Sequence, residues 1–124
     1  MGPLEPRYAH GTKYVWGVEV DKSLIAVTEL LQGHPSAQDW YIGLLLVAPE
    51  QRRRGVGTEL CLAIRGWMRA HGARNVRLVV HKQNVAARTF WERQGFAIER
   101  EVTKRSGRLE GPVWIFARSG EGAG

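Results

Sequence analysis

A basic, glycine-containing turn between an apolar run and a helical pattern is the part of the sequence with the clearest chemical use. Residues 41–47 (YIGLLLV) are apolar, Pro49 interrupts the run, and residues 51–57 (QRRRGVG) lead into the helical pattern. The first N–H groups of a helix have no partner within it, and glycine lets an anion approach them closely. The turn therefore predicts a binding site for a phosphate or pyrophosphate group.

The composition is that of one globular domain. The chain has 124 residues, of which 44% are hydrophobic and 24% charged. This length is enough for one hydrophobic core and too short for two, so we expect a single domain over residues 1–124. The net charge of +6 favours an anionic partner, either a phosphorylated cofactor or a nucleic acid, and charge alone does not choose between them.

The sequence argues against several classes of protein. Cys61 is the one cysteine and lies in an apolar run, so we expect a buried thiol and no intrachain disulfide. Four histidines without close spacing, together with one cysteine, argue against a metal site. We find neither a signal-peptide pattern nor an apolar run of about 18 residues, the length needed to cross a bilayer. We therefore expect a cytoplasmic protein without a membrane partner.

The order of the elements indicates an α/β (α+β) fold with a mixed, mostly antiparallel twisted sheet and two main helices. The first two strand patterns are separated by two residues, the spacing of a hairpin. A helix follows the basic turn and ends at Gly72, so a right-handed crossover makes strand 76–80 parallel to strand 39–47. A ligand then lies at the carboxyl ends of these strands. The whole prediction is an irregular arm at 1–12, strands at 14–20, 23–31, 39–47, 76–80, 96–104 and 112–118, a turn at 32–38, helices from the basic turn to 71 and from 84 to 94, a polar loop at 105–111, and a flexible tail at 119–124.

Two sequence blocks resemble the signatures of the GCN5-related N-acetyltransferase (GNAT) family, which transfers an acetyl group from acetyl-coenzyme A (acetyl-CoA) to an amine. Residues 52–57 (RRRGVG) match the family's R/Q-x-x-G-x-G/A turn. Residues 84–96 (NVAARTFWERQGF) match its second block, N-x-x-A-x-x-h-Y-E-x-x-G-F, where h is hydrophobic. Two blocks at the family's separation are far more specific than either alone, and the resemblance extends over residues 14–118.

The resemblance implies a site for acetyl-CoA as the cofactor. In the family, backbone N–H groups of the turn, here residues 53–58, bind the pyrophosphate. The strand before the turn hydrogen-bonds the pantetheine arm, and the N–H of Val47 is expected to hold the oxyanion. Asn84 matches an asparagine that helps to hold the cofactor, and it is equally suited to cap the second helix. The implied cofactor-binding residues are Leu45, Leu46, Val47, Arg52, Arg53, Arg54, Gly55, Val56, Gly57, Thr58, Asn84 and Trp91.

The implied reaction is direct attack of a neutral amine on the thioester, which needs few side chains. The family often has a tyrosine as general acid where this sequence has Trp91, and an indole N–H is a donor but not a usable acid at neutral pH. The family's acidic base position falls on Tyr41, and a phenol is a poor base at neutral pH. Glu29, Asp39 and His81 are the alternative bases, each acting through water. The candidate catalytic residues are Tyr41, Glu29, Val47 and Trp91.

Family members usually begin with a strand and two helices, whereas only residues 1–13 precede the first predicted strand here. We therefore expect an N-terminally shortened domain whose open sheet edge favours a homodimer. Three functions remain open. The first is an acetyl-CoA-dependent N-acetyltransferase acting on a small-molecule or peptide amine. The second is a non-enzymatic acyl-CoA sensor or scaffold, favoured by Trp91 and the shortened front. The third, a nucleic-acid-binding module, is disfavoured because the arginines do not share one predicted face.

Overall fold

The computed structural model describes residues 8–10, 13–33, 36–104 and 111–119, which form a seven-stranded mixed sheet and two α-helices. The strand order is β1-β2-β3-β4-β5-β7-β6, and β4 and β5 are the one parallel pair among the described strands. The predicted fold class is confirmed. The strands are β1 (Tyr8–His10), β2 (Lys13–Val20), β3 (Ser23–Gln32), β4 (Asp39–Val47), β5 (Asn75–His81), β6 (Ala97–Lys104) and β7 (Gly111–Ser119), and the helices are α1 (Val56–Ala70) and α2 (Val85–Arg93).

The β2–β3 hairpin forms where the sequence predicts it. Asp21 and Lys22 connect the two strands with φ values of 49° and 66°. Two successive left-handed residues give a turn whose twist matches that of the flanking strands, and aspartate tolerates this conformation well. The turn fixes the register in which β2 pairs with β3.

Strands β4 and β5 pair over a short distance and then separate. Their parallel register contains three pairs, Asp39 with Asn75, Trp40 with Val76, and Tyr41 with Arg77. Both strands continue beyond these pairs, β4 to residue 47 and β5 to residue 81. A gap therefore opens in the sheet at the carboxyl ends of the two strands, on the edge where the sequence places the ligand.

Both helices pack on the same face of the sheet. Each helix contributes to one hydrophobic core, α1 through a stripe that includes Ile64 and Met68, and α2 through Trp91. Cys61 is buried in this core, as expected. The largest fully buried side chains are Trp16, Trp40, Phe116, Leu30, Leu60, Ile64, Met68 and Leu78.

An aromatic cluster lies beneath α1. Trp67 meets Tyr14, Trp16 and Trp40 edge to face, with ring centroids 4.9, 4.7 and 5.7 Å away. The indole N–H groups of Trp16 and Trp40 are buried and make no conventional hydrogen bond. Edge-to-face contacts offer such donors the π face of a neighbouring ring as a weak acceptor. The cluster attaches α1 to the first four residues of β2 and to the start of β4.

Two predictions at the chain ends need correction. Tyr8–His10 form a strand that pairs antiparallel with β2, so this part of the predicted arm is not irregular and a short strand does precede β2. No helix precedes β2 among the described residues. β1 pairs only with residues 13–15 of β2, so it covers only part of the sheet edge on which the expectation of a homodimer rests. Ser119 belongs to β7 and pairs with Asn75, because the partner strand extends one residue beyond the predicted one. The rest of the arm (1–7, 11–12), positions 34–35 of the turn, the loop at 105–110 and the tail at 120–124 lie outside the described residues.

A polar network holds the paired beginnings of β4 and β5 together. One carboxylate oxygen of Asp39 accepts from Arg77 Nη1 at 2.8 Å and from Asn75 Nδ2 at 3.0 Å, and the other accepts from Ser36. Arg77 also donates from Nε to Glu99 at 3.1 Å. The hydrogen bonds from Ser36 and then Arg77 lower the pKa of Asp39 from 3.8 to about 2. Asp39 is therefore too weak a base for proton abstraction at neutral pH, which removes it from the candidate bases.

We predict that Asp39→Asn lowers the free energy of unfolding by about 1 to 2 kcal/mol at pH 7, because it removes the ionised acceptor of this network. The pKa of Asp39 is lower in the folded state, so this stabilisation is present above about pH 4 and is lost as the pH falls toward 2. Urea unfolding from pH 7 to pH 2.5 measures both effects. Asp21→Asn, in the hairpin turn, is the control and should be close to neutral. A deficit in Asp39→Asn that is independent of pH would contradict the prediction.

Candidate functional site

A cavity of about 390 Å³ lies between the separated end of β4 and helix α2. Its floor is β4, its wall is α2, and it reaches the start of α1 at Gly57. The lining is mostly apolar, with polar groups contributed by Arg52 and Asn84. The cavity therefore suits a long ligand that is apolar along much of its length and carries a few hydrogen-bonding groups. The lining residues are Leu45, Leu46, Val47, Arg52, Gly57, Asn84, Ala86, Ala87, Phe90 and Trp91.

The basic turn adopts the conformation of an anion-binding loop. Arg53 and Gly55 have φ values of 64° and 81°, and Gly55 is the N-cap of α1 without a side-chain cap. The first helical hydrogen bond is from Glu59 N to Gly55 O at 2.9 Å, so the N–H groups of residues 56–58 have no intrahelical acceptor. Left-handed residues next to a helix start turn several N–H groups toward one point, as an anion site requires.

The backbone of β4 presents unpaired groups to the gap. Ala48 N donates to Ile25 O at 2.8 Å, which makes the next pair along, Ala26 with Val47, a pair that is not hydrogen-bonded to each other. The N–H and C=O of Val47 therefore point away from β3, toward the gap. Arg52 Nε donates to the Val47 carbonyl at 3.1 Å, which leaves the Val47 N–H facing the cavity. By the same alternation, Leu45 points its backbone groups to this side.

Helix α2 forms the wall of the cavity opposite β4, through its cap and residues that lie on one side of the helix. Asn84 caps the helix because its Oδ1 accepts from Ala87 N at 3.0 Å. The cap uses the oxygen of the amide and leaves its NH₂ group, so capping and cofactor binding do not compete for the same atom. Trp91 is 8% exposed and lies edge to face with Phe90 and Phe96, at centroid distances of 4.9 and 5.3 Å.

The two helices contact each other where the cavity ends. A Cβ on Gly57 would lie 3.2 Å from Phe90 Cε1, which is closer than van der Waals contact normally allows. Gln94 Nε2 donates to Thr58 Oγ1 at 3.2 Å. Glycine at position 57 thus serves two purposes, since it allows α2 to approach α1 and leaves the turn open to a ligand.

Seven of the candidate residues come together around the cavity, and the rest are divided among three places. Arg53, Arg54, Gly55, Val56 and Thr58 lie in the turn and the first turn of α1, next to the cavity. Tyr41 is half-buried in the last parallel pair with β5, six residues before Val47 and outside the cavity lining. Glu29 is on β3 and forms an ion pair with Lys13 at 3.4 Å.

The sequence prediction omitted part of the wall as a ligand contact. Ala86, Ala87 and Phe90 line the cavity, although the sequence analysis placed them only within the second predicted helix. Their place in the sequence could have identified them, because they lie one and two turns after the cap, on the face of the helix that carries Trp91. The pattern indicates which residues are buried, but not that this face meets an opening in the sheet.

The described helices do not have the length and apolar character needed to cross a membrane. Among the described residues, no three His, Cys, Asp or Glu side chains are grouped as a metal site would require. The site described here consists of backbone groups, apolar side chains, arginines and the amide of Asn84.

The comparisons with known proteins agree with this geometry. The acetyltransferase (GNAT) family matches residues 2–96, and the chain belongs to that family, as the two sequence blocks predicted. It is 36% identical over 67 residues to the uncharacterized N-acetyltransferase YobR of Bacillus subtilis (strain 168), a match that covers 52% of this chain and 27% of YobR. Members of the family use acetyl-CoA for acetyl transfer.

Solved structures show the same fold. The ribosomal-protein-S18-alanine N-acetyltransferase of Escherichia coli superposes with a TM-score of 0.76 at 16% identity, covering 90% of this chain and 72% of that one. The PaiA N-acetyltransferase of Thermoplasma acidophilum, solved in complex with coenzyme A, gives a TM-score of 0.69 at 23% identity and covers 87% and 61%. At these identities the likeness concerns the fold. The chain spans about a quarter of the length of the curated relative and under two thirds of the coenzyme A complex.

We predict opposite effects on stability for two glycine-to-alanine changes in and after the turn. Gly55→Ala should lower the free energy of unfolding by about 1 to 2 kcal/mol, because alanine is strained at a φ of 81°. Gly66→Ala, inside α1 with no atom within 4 Å of the new Cβ, should raise it by about 0.5 to 1 kcal/mol. Urea unfolding measures both. Equal effects of the two changes would show that the left-handed conformation is not required at position 55.

Proposed function

We propose that this chain transfers an acetyl group from acetyl-CoA to a primary amine by direct attack in a ternary complex. The observation that carries the proposal is the gap between β4 and β5. There the unpaired backbone of β4 borders an apolar cavity that ends at an anion-binding turn. A thioester on a long arm with amide groups and a terminal pyrophosphate matches these three features in their order along the site.

The pantetheine arm would extend β4 as an additional strand. Its amide groups would pair with the backbone groups that Leu45 directs into the gap, which β5 leaves unsatisfied beyond the third parallel pair. Ala87 and Phe90 would pack against the apolar parts of the arm. The pyrophosphate would accept from the N–H groups of residues 56–58, with Arg53 and Arg54 adding positive charge.

In the reaction, the lone pair of the amine attacks the carbonyl carbon of the thioester, and the C–S bond then breaks to release the coenzyme A thiolate. The nitrogen, which becomes positively charged on attack, gives one proton to water to leave the neutral amide. The N–H of Val47 is the donor that would face the carbonyl oxygen as it gains negative charge. One such donor typically lowers the activation barrier by about 3 to 4 kcal/mol. The amine must be neutral before attack, so its ammonium form first transfers a proton to a base or to water. The rest of the rate comes from positioning.

Trp91 occupies the place where a general acid would be useful. Its indole N–H does not release a proton at neutral pH, so the leaving thiolate departs without full protonation. This is compatible with turnover, because a thiol with a pKa of about 8.5 is a tolerable leaving group. We assign Trp91 to packing along the cofactor arm, where it borders the cavity and contacts Phe90.

The acceptor is a primary amine, and two of the structural relatives suggest its range. One is named for an alanine of a ribosomal protein, and another, SpeG of Vibrio cholerae (TM-score 0.74 at 18% identity), for spermidine and spermine. A small-molecule or peptide amine is therefore the proposed acceptor class.

A second candidate function is a non-enzymatic acyl-CoA sensor, for which Trp91 in place of an acid is the favouring observation. Nucleic-acid binding has less support, because several arginines already have partners in the described structure. Arg77 pairs with Asp39 and Glu99, and Arg88 pairs with Glu92. These arginines are not available as free phosphate contacts.

We predict that Arg53→Glu/Arg54→Glu weakens acetyl-CoA binding by about tenfold or more, because two negative charges then face the pyrophosphate. Binding of S-acetylpantetheine, which has no phosphate, should be unchanged. Calorimetric titration measures both affinities. Arg69→Glu/Arg93→Glu is the matched control, since it makes the same change in net charge in the last turns of α1 and α2. An equal loss in the control, or a loss of S-acetylpantetheine binding, would mean that the turn is not the pyrophosphate site.

We also predict that Trp91→Tyr and Trp91→Phe have the same turnover number, measured by thiol release with a panel of primary amines. The phenol adds a proton donor that the phenyl ring lacks, so equal rates mean that protonation of the thiolate does not limit the reaction. A several-fold higher rate for the tyrosine variant alone would show that the missing acid matters. Acetyl-CoA binding without turnover in every variant and with every amine would favour the sensor.

A further inference from the structure

A β-bulge in β4 places a carboxylate beside the gap. Glu29 faces Leu44 in the ladder and Leu30 faces Ile42, so Gly43 is an extra residue on β4 with no partner of its own. A Cβ on Gly43 would lie 3.4 Å from Glu29 Oε1. The Glu29 carboxylate therefore covers the bulge, next to the position where any other residue would carry its side chain.

This carboxylate lies on the face of the sheet opposite to the helices. Its neighbours on β3, Thr28 and Leu30, are fully buried on the helix side, and successive side chains of a strand alternate between faces. Gly43 follows Tyr41, the last residue of β4 paired with β5, by two positions. Glu29 thus borders the beginning of the gap from the side that the cofactor cavity does not occupy.

Glu29 already holds an ammonium group. Lys13 Nζ lies 3.4 Å from Glu29 Oε1, and the two side chains are 46% and 28% exposed. Lys13 is on the neighbouring strand β2, diagonal to Glu29. An exposed ion pair of this kind is worth little and exchanges readily, whereas the Asp39 and Glu99 carboxylates are both bound to Arg77.

We propose that Glu29 binds the ammonium group of the acceptor, and that Lys13 occupies this position in the free protein and competes with the acceptor for it. The proposal rests on the proposed function for the identity of the ligand as an acceptor. Glu29 then selects amines that are cationic when they bind, before any bond is made or broken, and Lys13 sets how strongly they bind. This competition makes the Glu29–Lys13 ion pair a determinant of which acceptor amines the site binds.

The binding part is tested with n-butylammonium chloride, followed through the side-chain carboxylate signal of Glu29 in ¹³C NMR of the full chain. The signal is assigned by its absence in Glu29→Gln. Lys13→Met, which keeps the length of the side chain and removes its charge, should bind the probe about two- to fivefold more tightly than the unchanged protein, the range that an exposed ion pair is worth. The neutral n-butanol should cause no shift.

Two variants serve as controls. Arg93→Met removes one positive charge from the exposed end of α2 and should leave the affinity unchanged, which separates the local ion pair from the net charge. Lys13→Arg keeps the ion pair and should behave as the unchanged protein. Equal affinity in Lys13→Met and the unchanged protein, or an equal gain in Arg93→Met, would overturn the proposal.

Turnover provides the second test, with n-butylamine as the acceptor. Lys13→Met should lower the KM for the amine by about two- to fivefold with kcat unchanged. In Glu29→Gln the KM should rise, and adding Lys13→Met to it should give no further change. If no variant binds acetyl-CoA or releases thiol, the proposed function fails while the n-butylammonium titration still decides the role of Glu29. A gain from Lys13→Met that persists in the double variant would count against the ion pair as its cause.

Discussion

The site depends on a parallel pairing that stops after three residue pairs. Asp39, Asn75 and Arg77 hold the beginnings of β4 and β5 together through charge-assisted hydrogen bonds. Beyond the last pair, β4 keeps its partner β3 and β5 keeps its partner β7, so each strand stays ordered although the two diverge. The protein thereby exposes strand backbone inside a sheet without unfolding it, and this backbone is available to a ligand.

The helices determine what kind of ligand the gap accepts. Both helices lie on one face of the sheet, so α2 closes the gap on that face. The opposite face of the gap is not covered by either helix. Contact between Gly57 and Phe90 fixes the distance between the starts of the two helices. The cavity is therefore apolar along α2 and bordered by arginines at the turn, a combination that fits an extended arm ending in phosphate groups.

The chemistry assigned to the site makes few demands on side chains. A backbone N–H at Val47 can hold the developing oxyanion, and the order of the arm and the turn positions the thioester. For this reason Trp91, which is unsuited to acid catalysis, is compatible with an acetyltransferase. Selectivity for the amine then falls to the other face of the sheet, where Glu29 covers the bulge and Lys13 neutralises it.

The sequence by itself determined the family, nearly all the strands, and the residues of the turn. These features depend on local patterns, such as the glycines at 55 and 57, the alternation along β3, and the cap at Asn84. It did not reveal β1, because three residues are too few to show a period, nor the wall formed by Ala86 and Phe90. Only the tertiary structure decided that β4 and β5 separate, that Asp39 is committed to Arg77, and that Glu29 meets Gly43. The reason is that these contacts join residues far apart in the chain, and their register follows from the packing of the whole sheet.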